Sequence, residues 1–294
     1  MSFYNYSLII PHYNIPHLLE RLLNTVPQRD DLQIIVVDDC SPEDSQEKLK
    51  LIQEKYHNVE FYSTGINGGG GKARNVGLRH AYGKYVLFAD ADDYFEKNFV
   101  ELLDRYSNQE FDIIYFSAIF EGEDSNLRNY DNYIHRFISK ALISKSEKDL
   151  KYKFTQPWGK FIKRDLVSSN EILFEESIVS NDVHFSTMTD FYAKKIIADP
   201  LQSYVWKIRT TSTSRKLNPQ KILKRLEIDL TRHNFLKSIQ WKDRLNYLEM
   251  LNEIDSLGDK KIEKSAMRLC KYYRISKREI LLVRLKRQIR TLIK

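Results

Sequence analysis

Two clusters of aspartates are the residues whose spacing points most directly to chemistry. The stretch YVLFADADDYF is an apolar run that ends in Asp90, Asp92 and Asp93, and the run LQIIVVDD ends in Asp38 and Asp39. Like charges this close repel, and burying them without partners is costly. Either these positions are well hydrated or they hold something positive. A hard divalent cation such as Mg²⁺ or Mn²⁺, which prefers oxygen ligands, fits the second alternative.

The elements that must position these aspartates alternate between strand-like and helix-like patterns. Apolar, strand-like runs occupy residues 6–11, 32–39, 59–64, 84–90 and 111–118, with amphipathic helical segments between them. Near-continuous apolar strands alternating with helices predict an α/β fold with a mostly parallel sheet covered on both faces. Ligands of such sheets bind beyond the carboxyl ends of the strands. The two aspartate clusters are therefore expected to meet at one edge of the sheet.

Several of these positions also have ordinary structural interpretations. Asp38 and Asp39 are equally well explained as turn residues that cap the next helix, and Asp93 as a helix cap or a metal contact. Ser41 is predicted to be the N-cap of the second helix, with Pro42 at its first position. The glycine-rich stretch GGGGKAR matches no established phosphate-binding loop pattern, so alone it is weak evidence for a nucleotide site.

Composition indicates a globular intracellular protein. The 294 residues are 42% hydrophobic and 30% charged, and the two cysteines, Cys40 and Cys270, provide no disulfide framework. The first residues do not have the pattern of a signal peptide, and no apolar run approaches the ~18 to 20 residues of a membrane span. We therefore expect a cytoplasmic location.

The net charge of +7 is concentrated at one end of the chain. Residues 271–294 contain nine Lys or Arg and one Glu, a net of +8, which leaves −1 for the other 270 residues. This distribution argues against a nucleic-acid groove across the main domain. Apolar and basic side chains of this segment fall on different faces of a helix: Leu281, Leu285, Ile289 and Leu292 on one, and Arg287, Arg290 and Lys294 on another. A basic amphipathic helix suits an anionic membrane surface, although a solvated helix or a dimer contact has the same pattern.

An ordered set of sequence blocks resembles the family 2 inverting glycosyltransferases with the GT-A fold. The blocks run from about Ser7 to Ser214: SLIIPHYN, VVDDCS, NGGGGKARNVGL, GKYVLFADADD, WGKFIKRDL, NDVHFS and WKIRTTSTS. Each block is modest evidence, whereas the ordered set is specific.

The resemblance implies roles for individual residues. It implies that a set of residues binds the base, the ribose and the diphosphate of a nucleotide: Pro11, Tyr13, Asp39, Arg74, Asp90, Arg209 and Ser212. Ser214 would belong to the same mobile loop as Arg209 and Ser212. Asp92 would hold a Mn²⁺ or Mg²⁺ ion, and Asp182 would be the catalytic base. Trp158 and Asn181 are possible acceptor contacts, although Trp158 is equally well explained as a core residue. Asp182 precedes an amphipathic helical pattern, where aspartate is an ordinary cap, but the resemblance favours the catalytic role.

The chain departs from the family pattern at two positions. Asn181 stands where the family usually has Glu, and Gly159 where Asn is usual after the tryptophan. The first change removes a charge beside the implied base, so acceptor binding is expected to differ.

The implied protein is a metal-dependent inverting glycosyltransferase that uses a UDP-sugar and a saccharide acceptor, lipid-linked if the basic segment docks to a membrane. This places it on the inner face of a bacterial cell membrane, in the assembly of a surface polysaccharide such as capsule or O-antigen. The predicted organisation is a catalytic domain (1–215), a helical extension (216–270) and a basic tail helix (271–294). Two alternatives stay open: a sugar-nucleotide nucleotidyltransferase and a non-catalytic, membrane-associated binding module.

Overall fold

The computed structural model describes residues 4–122, 133–208, 218–242, 248 and 250–292, the last seven by their backbone alone. The chain divides into two compact units, Met1–Thr211 and Ser212–Lys294, each with its own hydrophobic core. The sequence-based boundary between residues 270 and 271 falls inside a helix, Lys260–Tyr272.

The first unit is an α/β structure built on one sheet. Its strands are β1 (Tyr6–His12), β2 (Leu32–Asp38), β3 (Val59–Ser63), β4 (Tyr85–Phe88), β5 (Tyr94–Phe95), β6 (Ile113–Gly122), β7 (Lys160–Lys163) and β8 (Ile196–Ile208). Its helices are α1 (Pro16–Leu23), α2 (Glu43–Lys55), α3 (Gly69–His80), α4 (Phe99–Tyr106), α5 (Tyr133–Ser144), α6 (Arg164–Ser169) and α7 (Val183–Tyr192).

The strand order is β3-β2-β1-β4-β7-β6-β8-β5. The first four strands are parallel, and β6 and β8 are parallel to each other, whereas β7 is antiparallel to both of its neighbours and β5 is antiparallel to β8. The predicted mostly parallel α/β sheet is therefore confirmed. Because the chain order reverses between β2 and β4, a crevice is expected beyond the carboxyl end of β1, where the aspartates lie.

Burial explains why the first strands read as apolar runs. Every residue of β2 and β4 is buried, as is all of β1 except Pro11. Helix α3 packs closely on β1, since a Cβ at Gly77 would lie 2.4 Å from Cγ2 of Ile9. This close contact fixes the position of α3 relative to β1.

The prediction that Ser41 caps α2 is wrong. Pro42 occupies the N-cap position and makes no side-chain cap. The Ser41 hydroxyl donates instead to Asp38 Oδ1, at 2.5 Å. Competition from a buried carboxylate at the end of the preceding strand therefore overrides the local capping signal.

The second unit is helical, with α8 (Pro219–Ser238), α9 (Met250–Leu257), α10 (Lys260–Tyr272) and α11 (Lys277–Leu292). The start of α11 has a capping box: Ser276 Oγ accepts from the Glu279 amide, and Glu279 Oε2 accepts from the Ser276 amide at 3.0 Å. Val283 is buried in the core of the unit, and Arg284 pairs with Asp255 through two hydrogen bonds of 2.8 Å. The first half of the basic segment is thus part of this unit's packed structure.

Candidate active site

The end of β2 is held by a buried hydrogen-bond network around Asp38. Its carboxylate bonds to His12 Nδ1 at 2.9 Å and accepts from the Ser41 amide at 2.9 Å. His12 Nε2 accepts from the Ile15 amide, which places the ring proton on Nδ1, where it is donated to Asp38. Burial raises the pKa of Asp38, but the hydrogen bonds from His12 and Ser41 outweigh it and hold the pKa below its usual value. Asp38 therefore fixes the loop after β2 and caps no helix.

Asp39 bonds to the glycine-rich start of α3. Its carboxylate accepts from the Gly68 amide at 2.9 Å, the Gly69 amide at 2.6 Å and the Thr64 hydroxyl at 2.9 Å. A carboxylate is favourable at a helix N-terminus because it accepts from amides that lack intrahelical partners. In this structure the glycine-rich stretch thus orients a strand-end aspartate.

The same stretch also allows α3 to approach the segment that precedes α7. A Cβ at Gly71 would lie 2.1 Å from the backbone oxygen of Glu175 and 3.0 Å from Cβ of Asn181. Only glycine fits this contact without movement of backbone. The contact brings α3, which carries Arg74, next to the segment that contains Asp182.

Arg74 connects the two sides directly. One guanidinium nitrogen donates to Asp90 Oδ1 at 2.5 Å, and the other donates to Asn181 Oδ1 at 3.0 Å. The Arg74 side chain is 8% exposed and that of Asp90 is 33% exposed. Asp90 and Asn181 therefore lie at one site, although they are far apart in sequence.

The three carboxylates after β4 have different surroundings. Asp93 is fully buried and accepts from the Tyr204 hydroxyl at 2.5 Å and from the Lys207 amide at 2.8 Å. Burial, reinforced by the nearby Asp90 and Asp92 carboxylates, raises the pKa of Asp93 well above its usual value. Both interpretations of Asp93 are wrong, because it caps no helix and presents no exposed oxygen to a cation.

Asp92 is half-buried at the same strand end, and its backbone oxygen accepts a hydrogen bond from Arg21. Among the described residues, no three His, Cys, Asp or Glu side chains are arranged to hold a metal ion. A Mg²⁺ ion is often held by one or two protein carboxylates together with substrate phosphates, so a single partly exposed aspartate fits that kind of site.

Asp182 occupies the N-cap position of α7 but makes no side-chain cap. In the described part of the chain, no other residue donates a hydrogen bond to its carboxylate. Part of the residue is exposed, yet the protein packed around it desolvates the carboxylate and raises its pKa. Arg74 and Lys160 oppose this increase, and Asp90 adds to it. Such a carboxylate is suited to accept a proton.

The remaining predicted residues have different degrees of exposure. Tyr13 is 47% exposed beyond the end of β1, and Pro11 is partly buried there. Trp158 is 4% exposed and stacks on the Tyr204 ring, with centroids 5.0 Å apart, so packing is the alternative that the structure favours for it. Arg209, Ser212 and Ser214 lie outside the described residues.

Two residues near the site were missed by the sequence analysis. Tyr204 joins Asp93 to the Asp90 amide, which donates to its hydroxyl at 3.0 Å. Lys160 is 1% exposed, and its ammonium donates to the Phe154 carbonyl at 3.0 Å and to Ser186 Oγ at 3.2 Å. A lysine in the apolar run WGKFI was the available signal, since lysine is rarely fully buried.

Comparison with known proteins identifies a family. The model described as "Glycosyl transferase family 2" matches residues 7–170. The minor teichoic acid biosynthesis protein GgaB of Bacillus subtilis is 28% identical over 220 residues, 72% of this chain and 24% of that protein. A poly(ribitol-phosphate) beta-glucosyltransferase of Bacillus spizizenii is 30% identical over 214 residues, 69% of this chain and 32% of that protein. The chain thus spans about a quarter to a third of these relatives.

A third relative matches over more of its own length. The GalNAc(5)-diNAcBac-PP-undecaprenol beta-1,3-glucosyltransferase of Campylobacter jejuni is 29% identical over 187 residues, 60% of this chain and 56% of that protein.

Two solved structures have the same fold. S. aureus TarS in complex with UDP-GlcNAc has a TM-score of 0.66 and 21% identity, covering 92% of this chain and 80% of that chain. The mannosyltransferase PcManGT of Pyrobaculum calidifontis, in complex with GDP-Man and Mn²⁺, has a TM-score of 0.61 and 17% identity, covering 98% and 80%. The predicted GT-A fold is confirmed by this likeness.

Proposed function

The chain belongs to glycosyl transferase family 2, and from that premise we propose that it is a metal-dependent inverting glycosyltransferase. It transfers a sugar from a UDP-sugar to a saccharide acceptor in the synthesis of a bacterial surface polysaccharide. The observation that carries the proposal is the bridge made by Arg74, which hydrogen-bonds both Asp90 and Asn181. This bridge joins a residue implied in donor binding to the residue next to the proposed base.

Asp182 is the proposed general base. Its carboxylate would take the proton from an acceptor hydroxyl while that oxygen attacks the anomeric carbon of the donor sugar. The bond from this carbon to the diphosphate breaks on the opposite face, so the configuration inverts. The raised pKa of Asp182 supports this role, because a base works best when its pKa is closer to the working pH.

The donor is proposed to lie beyond the ends of β1, β2 and β4. Tyr13 would contact the base, with Pro11 beside it, and Asp39 would accept a hydrogen bond from the base. The carboxylate of Asp39 is already oriented by the start of α3. Asp90, fixed by Arg74, would bind the ribose. Arg209 and Ser212, outside the described residues, would close over the diphosphate.

Asp92 is the proposed ligand of a Mn²⁺ or Mg²⁺ ion. Such an ion, when bound, would neutralise charge on the diphosphate leaving group. The position of Asp92, a partly exposed residue just after β4, supports this assignment. The solved mannosyltransferase complex, which contains Mn²⁺, is consistent with it.

The acceptor is proposed to be a saccharide carried on a lipid. One relative is named for an undecaprenol-linked acceptor and two for teichoic acid synthesis or poly(ribitol phosphate). Asn181 is a possible acceptor contact, although its side-chain oxygen is already bonded to Arg74. Trp158 would reach an acceptor only if its packing on Tyr204 changed.

The proposed location is the cytoplasm, with peripheral attachment to the inner face of the cell membrane through residues 271–294. No helix in the part of the chain that the structure describes is long and apolar enough to cross a membrane. The supporting observations are the net charge of this segment and the exposure of Leu281 and Leu285 on α11. Because Ile275 and Val283 are buried, point substitutions test this attachment better than truncation.

Nucleotide titration tests the donor site. Calorimetry with UDP, with GDP as the control, is expected to show binding of UDP in Mn²⁺ and its loss in EDTA. Failure of both nucleotides to bind in Mn²⁺ would contradict the proposed site and favour the binding-module alternative. Pyrophosphate release from a nucleoside triphosphate, rather than sugar transfer, would instead favour a nucleotidyltransferase.

A further inference from the structure

Positive charge extends over the whole second unit, beyond the C-terminal segment alone. Residues 212–294 contain twenty-two Lys and Arg against nine Asp and Glu, a net of +13, whereas residues 1–211 have a net of −6. The two units have opposite net charge. An anionic partner would therefore be attracted to the second unit.

Four of these cations form a stripe on α10. Lys260, Lys264, Arg268 and Lys271 are spaced four, four and three residues apart, which puts them on one helix face over about 16 Å. All four are exposed, and in the described part of the chain none of them forms an ion pair. We call this set the α10 stripe.

Helix stability does not account for the α10 stripe. Like charges three and four residues apart on a helix repel, and cations near a helix N-terminus oppose the helix dipole. Asp259 relieves the second effect by accepting from the Lys261 amide at 2.8 Å, whereas no described carboxylate lies within ion-pair distance of the four stripe cations. An arrangement that destabilises the helix suits an anion from outside the chain.

An apolar groove adjoins the stripe. It lies between α8 and α10, with a volume of about 700 Å³, and it shares Arg268 with the stripe. Leu223 and Leu269 line it, and Tyr272, which is 80% exposed, stands at one end. A soluble polyanion would leave these apolar surfaces uncovered, whereas a lipid has a phosphate for the cations and acyl chains for the groove.

We propose that the α10 stripe and the adjoining groove form a docking surface for an anionic phospholipid membrane. Lipid phosphates would bind the four cations, while Tyr272 and the groove would contact the glycerol and acyl region. The inference rests on the membrane association proposed above, but it places the main contact on α10 and includes only Lys271 and Tyr272 of residues 271–294.

The test is vesicle flotation with the full chain. Vesicles of phosphatidylcholine are compared with vesicles that also contain phosphatidylglycerol. The double variant Lys264→Gln/Arg268→Gln is expected to lose about 30-fold in binding to the anionic vesicles, which corresponds to about 1 kcal/mol per removed charge. The control, Lys277→Gln/Arg278→Gln, removes the same charge from exposed positions at the start of α11 and is expected to lose much less.

The contribution of the groove is measured separately. Tyr272→Ala is expected to weaken binding most clearly at high salt, where electrostatic attraction is screened. The high exposure of Tyr272 makes an effect on folding small, and a thermal melt of each variant checks this. Unchanged binding by Tyr272→Ala at high salt would remove the groove from the proposed surface.

Several results would overturn the inference. Equal losses of vesicle binding in the two double variants would show that binding depends on general electrostatic attraction or on residues 271–294, and not on the α10 stripe. Tighter binding of inorganic polyphosphate than of vesicles, abolished by Lys264→Gln/Arg268→Gln, would make the surface a soluble-polyanion site. If the wild-type chain binds no vesicles, both the inference and the membrane location are wrong, whereas the UDP titration still decides the proposed transferase site independently.

Discussion

Asp182 stands at the N-cap position of α7, but its side chain does not cap the helix. An N-cap aspartate ordinarily accepts a hydrogen bond from an amide of the first turn, and this one does not. Its carboxylate is held near Arg74 and Lys160 while its pKa is raised by burial. These surroundings distinguish it from the many surface aspartates of the chain and make it the residue to test first.

Replacing Asp182 with Asn is expected to reduce kcat by at least about 10²-fold, because general-base catalysis is typically worth ~10² to 10⁴. The affinity for UDP is expected to stay nearly unchanged, since the base acts on the acceptor. Transfer assays and calorimetry on the same preparations measure the two effects. Asp165→Asn, at an exposed position in the same unit, is the control. Near-normal turnover by Asp182→Asn would remove it as the base.

Lys160 is a buried cation near the same carboxylate. Its ammonium donates to Ser186 Oγ, and Ser186 lies one helical turn after Asp182 on the same face of α7. The groups that act on Asp182 are Arg74 from α3, Asp90 after β4 and Lys160 from β7. Of these, Lys160 has no proposed role in donor binding.

Removal of this charge by Lys160→Met is expected to raise the pKa of Asp182, because Lys160 lowers it in the wild type. The acidic limb of the kcat/KM profile should therefore move to higher pH. Lys163→Met is a matched control on the same strand, where the ammonium lies 3.6 Å from Glu110 instead. A loss of thermal stability without movement of the acidic limb would show that Lys160 has only a structural role.

At the scale of elements, α3 is the part that holds the site together. Its first turn binds Asp39, its middle carries Arg74, and its glycines allow contact with the segment before α7 and with β1. One helix therefore sets the positions of residues on both sides of the proposed reaction.

The variant Gly71→Ala is expected to lower the free energy of unfolding by about 1 to 3 kcal/mol, because its Cβ would overlap a backbone oxygen. Displacement of the segment before α7 should also reduce kcat. Urea unfolding and transfer assays measure both. Gly68→Ala is the control, since its Cβ would meet only the flexible Lys72 side chain. Equal behaviour of the two variants would contradict this account of the glycine-rich stretch.

The start of α11 depends on a single carboxylate. Glu279 accepts from Ser276 and pairs with Lys237 at 2.9 Å. Burial raises the pKa of Glu279, but these bonds outweigh it and lower the pKa from 4.5 to about 2. Because the folded pKa lies below the unfolded one, the stabilisation is complete above pH 4.5 and is lost as the pH falls toward 2.

Substitution of Glu279 with Gln is therefore expected to reduce the free energy of unfolding at pH 7 by about 2 to 3 kcal/mol. It should also flatten the dependence of stability on pH in the acidic range. Chemical unfolding monitored across this range tests both effects, with Glu263→Gln on α10 as the control. An unchanged acid dependence in Glu279→Gln would show that the carboxylate contributes little.

At the scale of the whole molecule, some features could be predicted from local patterns and others could not. Periodicity and apolar runs were sufficient for the α/β sheet and for the aspartates at its edge. The partners of those aspartates depend on contacts between distant segments. Asp93 is buried because Tyr204 arrives on β8. The amides at the start of α3 are taken by Asp39 because β2 ends beside them.

The antiparallel strand β7 was also beyond local prediction. It lies between β4 and β6 in the sheet, and nothing in its short apolar run specifies a direction. The distribution of charge was only partly recognised, because the predicted tail boundary cut through α10 and separated Lys271 from Lys260, Lys264 and Arg268. The direction of β7 is therefore decided by contacts at long range in sequence, whereas the α10 stripe is recognised only once the bounds of α10 are known.

The position of β7 has a consequence for synthesis on the ribosome. The four parallel strands β3-β2-β1-β4 are complete once Phe88 has been made, but one edge of β4 is paired only by β7, which begins at Lys160. At ~5 to 20 residues per second, that edge waits about 4 to 14 s for its partner. An unpaired, apolar strand edge can associate with other nascent chains during this interval. The yield of native protein should therefore depend on translation rate and on chaperones that cover exposed strands.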